Sequence, residues 1–392
     1  MNENSVLYRH LHAGDKRRNK HAGKTKRIPR TKRNPSRFFA PDYNGGDDIS
    51  DFRVFPGMKK LHRFPGIRVS ISPNSRLAFP KSSRIFDLCD KFAPDLVHVT
   101  TEFGIGYKGM KYATSRKKPL IMSSHTDYSK YLGYFGLGSI KPFAEMYLKR
   151  FYCYSDRTLV PSRHTLELLR EKGYENLGIW SRGIDADRFN PKFRSGRIKN
   201  SLGIDGKFVF LYVGRLSPEK GLHLLLQSIE IVNRGFPGKA AFVFTGDGPY
   251  ADNIRQAGLD NVVLTGFKRG RELSEIYASC DCFAFPSGTE TFGNTCLEAL
   301  ASGLPVAGVC SGGVTDYLKH GENSLLCADG NVDAFADNLI RIMNDAQLRQ
   351  MLAENGQKSA LSRDWNNIFA GLLDEYAMAI SDNASKAWKR AS

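Results

Sequence analysis

The chain has 392 residues, 41% of them hydrophobic and 25% charged, with a formal net charge of +17. That length and apolar content suit two soluble domains, each with its own core, and no run nears the roughly 18 apolar residues that a membrane span requires. A secretory leader is not expected, because the N-terminus lacks an apolar core segment, and the seven cysteines (Cys89, Cys153, Cys280, Cys282, Cys296, Cys310, Cys327) show no paired metal spacing and read as reduced core residues of a cytoplasmic protein.

The charge is uneven. Residues 1–40 hold 12 Lys/Arg and 2 Asp/Glu, a balance of +10, while the other 352 hold 45 and 38, a balance of +7. The excess belongs to one segment, so it does not make the whole chain a nucleic-acid binder. Residues 1–36 carry no apolar period and read as a basic tail.

From 37 to 195 short apolar runs alternate with helical stretches. Residues 96–100 (LVHVT) follow Pro94-Asp95, residues 120–124 (LIMSS) follow Pro119, and residues 158–160 (TLV) lead into Pro161-Ser162 and a helix through 172. Each run is short and bounded by turn residues, as buried parallel strands are. Residues 182–197 have no period and are expected to link the domains. A second unit, 196–364, has expected strands at 208–213, 241–245, 262–265, 282–285 and 306–309 with helices between them, which implies a doubly wound sheet. Residues 365–392 form a last helix, with Trp365, Phe369 and Leu372 at helical spacing.

Four motifs in the second unit carry chemistry. The strand 208–213 runs into Gly214 and Arg215, then Lys220. Glycine allows close backbone approach to a phosphate, and two cations can neutralise a diphosphate from two sides. VFTGDGPY places Gly246, Asp247 and Gly248 on a tight turn, and LTGF places Thr265, Gly266 and Phe267 after the next strand. In GTETFGNTCLEALASGLPVAG, Glu290 and Glu298 are separated by seven residues across a strand–loop–helix passage, with the helix expected at 295–302. Ligands of parallel α/β folds bind at strand carboxyl ends, where helix N-termini offer N–H groups to anions. Taken singly, a loop with two cations is usually solvated and a helix with two acids is usually surface. The coincidence of all four motifs points to a polyhydroxy, diphosphate-bearing ligand.

GRLSPEKG, TGDGPY, the Glu-x7-Glu block and ASGLPV, together with VHVTTEFGIG, SSHTD, LVPS and RGIDADRFNP, resemble a retaining glycosyltransferase of family 4 with the GT-B fold. The resemblance runs from about residue 38 to the C-terminus. Within the family the chain looks most like bacterial mannosyl- or glucosyltransferases and the sulfolipid sulfoquinovosyltransferase. It implies an α/β architecture of two doubly wound Rossmann-like domains facing a central cleft, the first (37–195) on the acceptor side and the second (196–364) binding the nucleotide sugar, with helix 365–392 returning to the first. The implied activity moves a hexose from GDP-mannose or a UDP-sugar to a lipid or glycan acceptor.

On that resemblance, His125, Arg215, Lys220 and Glu290 are the expected catalytic residues. Gly214, Gly246, Asp247, Gly248, Thr265, Gly266, Phe267, Phe292, Gly293, Asn294, Thr295 and Glu298 are expected to bind the donor. Arg215 and Lys220 would stabilise the leaving diphosphate, helped by backbone N–H groups of 292–295. Glu298 would hold the ribose and Glu290 the transferred sugar, with no protein nucleophile assigned. Asp127 is a further acceptor or sugar contact. No metal or cofactor is expected, because cationic side chains replace the ion. Lys59, Lys60, Arg63, Arg68 and Arg116, Lys117 and Lys118 offer charge for an anionic lipid surface at the inner face of the membrane, though the ordinary reading is solvated surface.

RFFAPDY (37–43) resembles the end of the family's second strand, before which a first strand, a glycine loop and a first helix should stand. Codons for residues 1–35 can be chosen so that the neighbouring frame spells an apolar strand, an Asn-Gly loop and an amphipathic helix. Residues 1–36 are therefore expected to be out of frame, with a one-base slip near the codons for 35–37. A sugar-nucleotide epimerase of the same fold, or a silent nucleotide-sugar binder, are the competing functions.

Overall fold

The computed structural model describes residues 5–8, 36–42, 58–69, 72–127, 133 and 138–391. The chain divides into two compact units. One comprises 1–161, 166–180 and 369–392, the other 162–165 and 181–368.

The first unit opens with β1 (Ser5–Tyr8), β2 (Ser36–Pro41), β3 (Met58–Phe64), β4 (Gly66–Val69) and β5 (Ser72–Ala78). Then come α1 (Ser82–Phe92), β6 (Leu96–Val99), α2 (Ile105–Ser115), β7 (Leu120–Ser123), α3 (Lys141–Tyr152), β8 (Arg157–Val160), α4 (Arg163–Glu171) and β9 (Leu177–Ile179). Every residue of β6 and β7 is buried, which explains runs that are nearly all apolar rather than alternating, with His98 and Ser123 as the polar members. In α1 the buried Ile85, Cys89 and Phe92 recur at helical spacing and face the same core as Val97, Val99 and Met122.

The seven-stranded sheet has the order β3-β2-β1-β6-β7-β8-β9. Its pairs β2–β3, β6–β7, β7–β8 and β8–β9 are parallel. β1 alone runs against both of its neighbours, with Val6 opposite Phe38 and His98. An antiparallel strand is common at the edge of such a sheet; here it takes an interior position, third of seven. The remainder of the tail expected to be out of frame, apart from Ser36, lies outside the described residues.

The second unit contains α5 (Gly196–Ser201), β10 (Phe208–Val213), α6 (Leu222–Gly235), β11 (Ala240–Thr245), α7 (Ala251–Gln256), β12 (Val262–Gly266), α8 (Gly270–Ser279) and β13 (Cys282–Phe285). It continues through α9 (Asn294–Ala301), β14 (Val306–Val309), β15 (Ser324–Cys327), α10 (Val332–Asn344) and α11 (Ala346–Leu361). Its six strands are all parallel, in the order β12-β11-β10-β13-β14-β15. Successive residues of β10 feed two cores: Val209 and Leu211 pack with Phe283 and α9, while Phe210 and Tyr212 pack with Phe242, Phe244 and α6. A sheet covered on both faces needs apolar residues at every position.

The last helix, α12 (Trp365–Ala391), joins the first unit from Phe369 onward. There Tyr376 reaches His98 Nδ1 at 2.7 Å, and Glu375 pairs with Arg157 at 2.8 Å.

Several expectations are corrected. Cys153 and Cys310 are exposed rather than core residues, because each falls just beyond the end of its element. The segment 182–197, expected to link the domains, belongs to the second unit. Ile184 and Phe189 enter its core, and the Ile184 amide donates to the Arg363 carbonyl at 2.9 Å. β3, β9 and β15 were not anticipated. β9 is three residues long, and β15 is a mixed SLLC run.

Candidate active site

In the second unit β10 is the point at which strand order reverses, with β11 and β12 on one side and β13, β14 and β15 on the other. Parallel sheets open a crevice at the carboxyl ends of the strands at such a point. The loop after β10 carries Arg215 and Lys220, and the loop after β13 carries Glu290. Lys220 Nζ donates to Glu290 Oε1 at 2.6 Å, and neither side chain is more than 22% exposed. Thr289 Oγ1 donates to the Glu219 carbonyl at 3.0 Å, a second tie between the same two loops. Arg215, on the same loop as Lys220, is half-buried and forms no ion pair among the described residues; its carbonyl accepts from Tyr212 Oη at 2.8 Å.

The neighbouring strand ends interlock with the β10 loop. Gly214 N donates to the Thr245 carbonyl at 3.0 Å, Leu216 N to the Asp247 carbonyl at 3.0 Å, and Gly246 N to the Gly266 carbonyl at 3.0 Å. A Cβ on Gly246 would lie 1.8 Å from the Gly214 carbonyl oxygen, so no other residue fits without moving backbone. Asp247 is exposed, and its carboxylate accepts from the Gly248 amide at 2.8 Å. The Thr265 hydroxyl is committed to Thr245 Oγ1 at 3.0 Å, which leaves the backbone of 265–267 as the available surface. Phe267 is 61% exposed, with Arg269 over its ring at 4.8 Å.

On the β13 side, Gly293 (φ +81°) precedes α9 as its N-cap, and no side chain caps the helix. The N–H groups of the first turn are therefore not satisfied by a side chain and point out of the helix end, where the macrodipole favours an anion. The Gly293 carbonyl accepts from Tyr317 Oη at 2.6 Å, which fixes the turn from behind. Phe292 is buried against Tyr317 with a ring separation of 5.2 Å, so its contribution is limited to backbone. Asn294 and Thr295 are half-buried on the first turn.

Glu298, one turn deeper, accepts from Tyr277 Oη at 2.9 Å. Burial pushes its carboxyl up to about 7, against the lowering effects of the Tyr277 hydroxyl and the Arg188 charge. Tyr277 and Arg188 escaped the sequence reading. Tyr277 looks like a core residue of an amphipathic helix, and Arg188 lies in the segment taken for a link.

His125 stands past the carboxyl end of β7 in the first unit, its ring T-shaped on Trp180 at 5.8 Å. Asp127 is half-buried two residues on. Among the described residues no three His, Cys, Asp or Glu side chains gather as a metal site, and no helix is long and apolar enough to cross a membrane.

Comparison with known proteins gives this arrangement its class. Residues 195–359 match the family "Glycosyl transferases group 1", and residues 32–188 match "Glycosyltransferase Family 4". The chain is 31% identical to a GDP-mannose-dependent alpha-mannosyltransferase of Mycobacterium tuberculosis over 86% of each protein. It is also 31% identical to the sulfoquinovosyl transferase SQD2 of Arabidopsis thaliana, over 78% of this chain and 61% of that one. Among solved structures, Anabaena Alr3699/HepE in complex with UDP-glucose superposes with a TM-score of 0.70 at 20% identity, covering 87% of this chain and 91% of the other. The architecture is that of GT-B glycosyltransferases. The chain belongs to glycosyltransferase family 4 and is a nucleotide-sugar-dependent hexosyltransferase; the epimerase and silent-binder alternatives are not favoured by these relatives.

Proposed function

We propose that the crevice at the β10–β13 switch point takes the donor's diphosphate, and that the protein transfers the hexose with retention to a lipid or glycan acceptor at the cytoplasmic face of a membrane. The observation that carries this reading is the Lys220–Glu290 pair, which ties the loop that carries Arg215 to the loop that leads into the uncapped start of α9. Without ligand the two charges neutralise each other. A bound sugar diphosphate divides them, its phosphate drawing Lys220 and its sugar hydroxyls drawing Glu290. Arg215 and the first-turn amides of α9 then face the charge that develops on the leaving diphosphate, in place from the start rather than recruited during reaction. Glu298 accepts hydrogen bonds from the ribose hydroxyls, His125 serves the transferred sugar, and Asp127 serves the acceptor or the sugar. Cationic side chains carry the charge that a metal carries elsewhere.

The relatives' names support either donor: one is GDP-mannose-dependent, and the Anabaena protein is complexed with UDP-glucose. An alpha-monoglucosyldiacylglycerol synthase of Streptococcus pneumoniae, 30% identical over 63% of this chain, favours a lipid acceptor.

The test is transfer of labelled hexose from GDP-mannose and UDP-glucose to diacylglycerol vesicles, with and without EDTA. One donor should be used in preference, its anomeric configuration kept, and EDTA should leave the rate within about twofold. Arg215→Ala should lower the rate by about 10²–10³, the range for loss of one preorganised donor. Inversion of the anomer, or a chelator-abolished rate, would contradict the reading.

A further inference from the structure

We propose that Tyr277 is a positioning residue for donor recognition: its hydroxyl fixes one oxygen of the Glu298 carboxylate, so that the other oxygen is held ready for the ribose hydroxyls of the nucleotide. The inference rests on the reading that Glu298 takes the ribose, and it gives a core aromatic the task of aiming that carboxylate.

A glutamate left alone is a poor partner for a diol. Its carboxylate swings on several side-chain torsions, and ordering it when a ligand arrives costs conformational entropy. Glu298 does not keep that freedom. It lies on α9, and Tyr277 Oη on α8 donates to its Oε2 at 2.9 Å. The same hydroxyl lies 3.4 Å from the Thr295 carbonyl, one turn back on α9. It has a single proton to give, and the shorter contact, to a group that carries charge when ionised, takes it. Glu298 Oε1 forms no hydrogen bond among the described residues, and Glu298 is half-buried while Tyr277 is fully buried. One oxygen tied and one left over make a directed acceptor.

The ring that carries the hydroxyl is held from two sides. Phe189 meets it edge-on with a centroid separation of 5.5 Å, and Phe283 of β13 lies tilted against it at 5.9 Å. Phe189 is covered in turn by the Arg188 guanidinium at 5.2 Å. The stack therefore runs from the 182–197 segment through α8 to α9, all within the second unit. Core packing thereby sets the direction of a carboxylate, as a supporting shell does for a precise site. A buried tyrosine needs some acceptor for its hydroxyl; here the acceptor is a side chain that the donor also needs. The same bond favours the ionised carboxylate, whose oxygens only accept, against the burial that favours the neutral acid.

The experiment is calorimetric titration of the full chain with UDP and GDP and with their 2′,3′-dideoxy counterparts, read for the base that binds more tightly. The wild type should prefer the ribonucleotide by at least about tenfold, the range for a hydrogen bond to a charged group. Tyr277→Phe keeps the ring and removes one oxygen; it should narrow that preference about fivefold and leave the affinity for the dideoxy nucleotide within about twofold of the wild type. Glu298→Gln should remove most of the preference, and adding Tyr277→Phe to it should narrow it no further, because the two side chains act as one unit. Tyr277→Phe with the wild-type preference, beside a Glu298→Gln protein that has lost it, would overturn the proposal and leave the ribose reading standing. Equal weakening of both nucleotides by Tyr277→Phe would reduce Tyr277 to a core residue and overturn it as well. A preference that survives Glu298→Gln would remove the ribose reading and the proposal with it.

Discussion

Burial and the proposed contact with the donor's ribose pull the ionisation of Glu298 in opposite directions. In the empty protein burial favours the neutral form and raises its pKa from 4.5 to about 7. Its contribution to stability is therefore fully present below about pH 4.5 and is lost as pH rises through about 7. The shift corresponds to at most about 3 kcal/mol, and partial contact with solvent brings it nearer to about 1–2 kcal/mol. A nucleotide whose ribose hydroxyls donate to the ionised carboxylate has the reverse preference. Denaturant unfolding of the empty protein should show Glu298→Gln losing about 1–2 kcal/mol less than the wild type between pH 5 and pH 8, while nucleotide affinity of the wild type rises over the same interval and that of Glu298→Gln stays level. Parallel curves for the two proteins would assign the titration to another group. At this scale the sequence was most legible where glycines bracket a loop: Arg215, Lys220, Glu290 and Glu298 stand out for that reason. Tyr277 was hidden because a hydroxyl that reaches a carboxylate 21 residues away looks, in sequence, like any aromatic on an apolar helix face.

Among the elements, five of the six strands of the second unit were legible nearly to the residue, since a sheet buried on both faces leaves continuous apolar runs between turn residues, as in Phe208–Val213 and Cys282–Phe285. The interlock of the β10, β11 and β12 loops could not be foreseen, because a glycine reports room for a close approach without naming what approaches it. β1 is the element at odds with its surroundings. A four-residue segment runs antiparallel through the middle of strands that otherwise share one direction. A parallel strand supplied by the neighbouring reading frame would match the direction of β2 and β6 and bring a longer apolar run to the centre of the sheet. Replacing residues 1–35 with the peptide of that frame is expected to raise Tm by at least about 5 °C and to increase transfer activity. An unchanged or lower Tm, or a coding sequence whose codons cannot spell the alternative, would exclude it.

At the scale of the whole molecule, the chain is two compact α/β units. The second unit places the Lys220–Glu290 pair, the start of α9 and Glu298 on the elements around one switch point, while His125 lies past the carboxyl end of β7 in the first. The bulk charge of +17 says little about either unit, since the first 40 residues hold most of it. The central claim is that Arg215 and Lys220 hold a nucleotide diphosphate and Glu290 holds the sugar attached to it. Calorimetric titration of the full chain with UDP, GDP and the corresponding sugar nucleotides tests it most directly. The account predicts that Arg215→Ala and Lys220→Ala each weaken nucleotide binding by about 10- to 100-fold, the loss of a charge-assisted hydrogen bond, and that Glu290→Gln keeps nucleotide affinity while removing the added affinity of the sugar. Nucleotide affinities indifferent to both cations would contradict it.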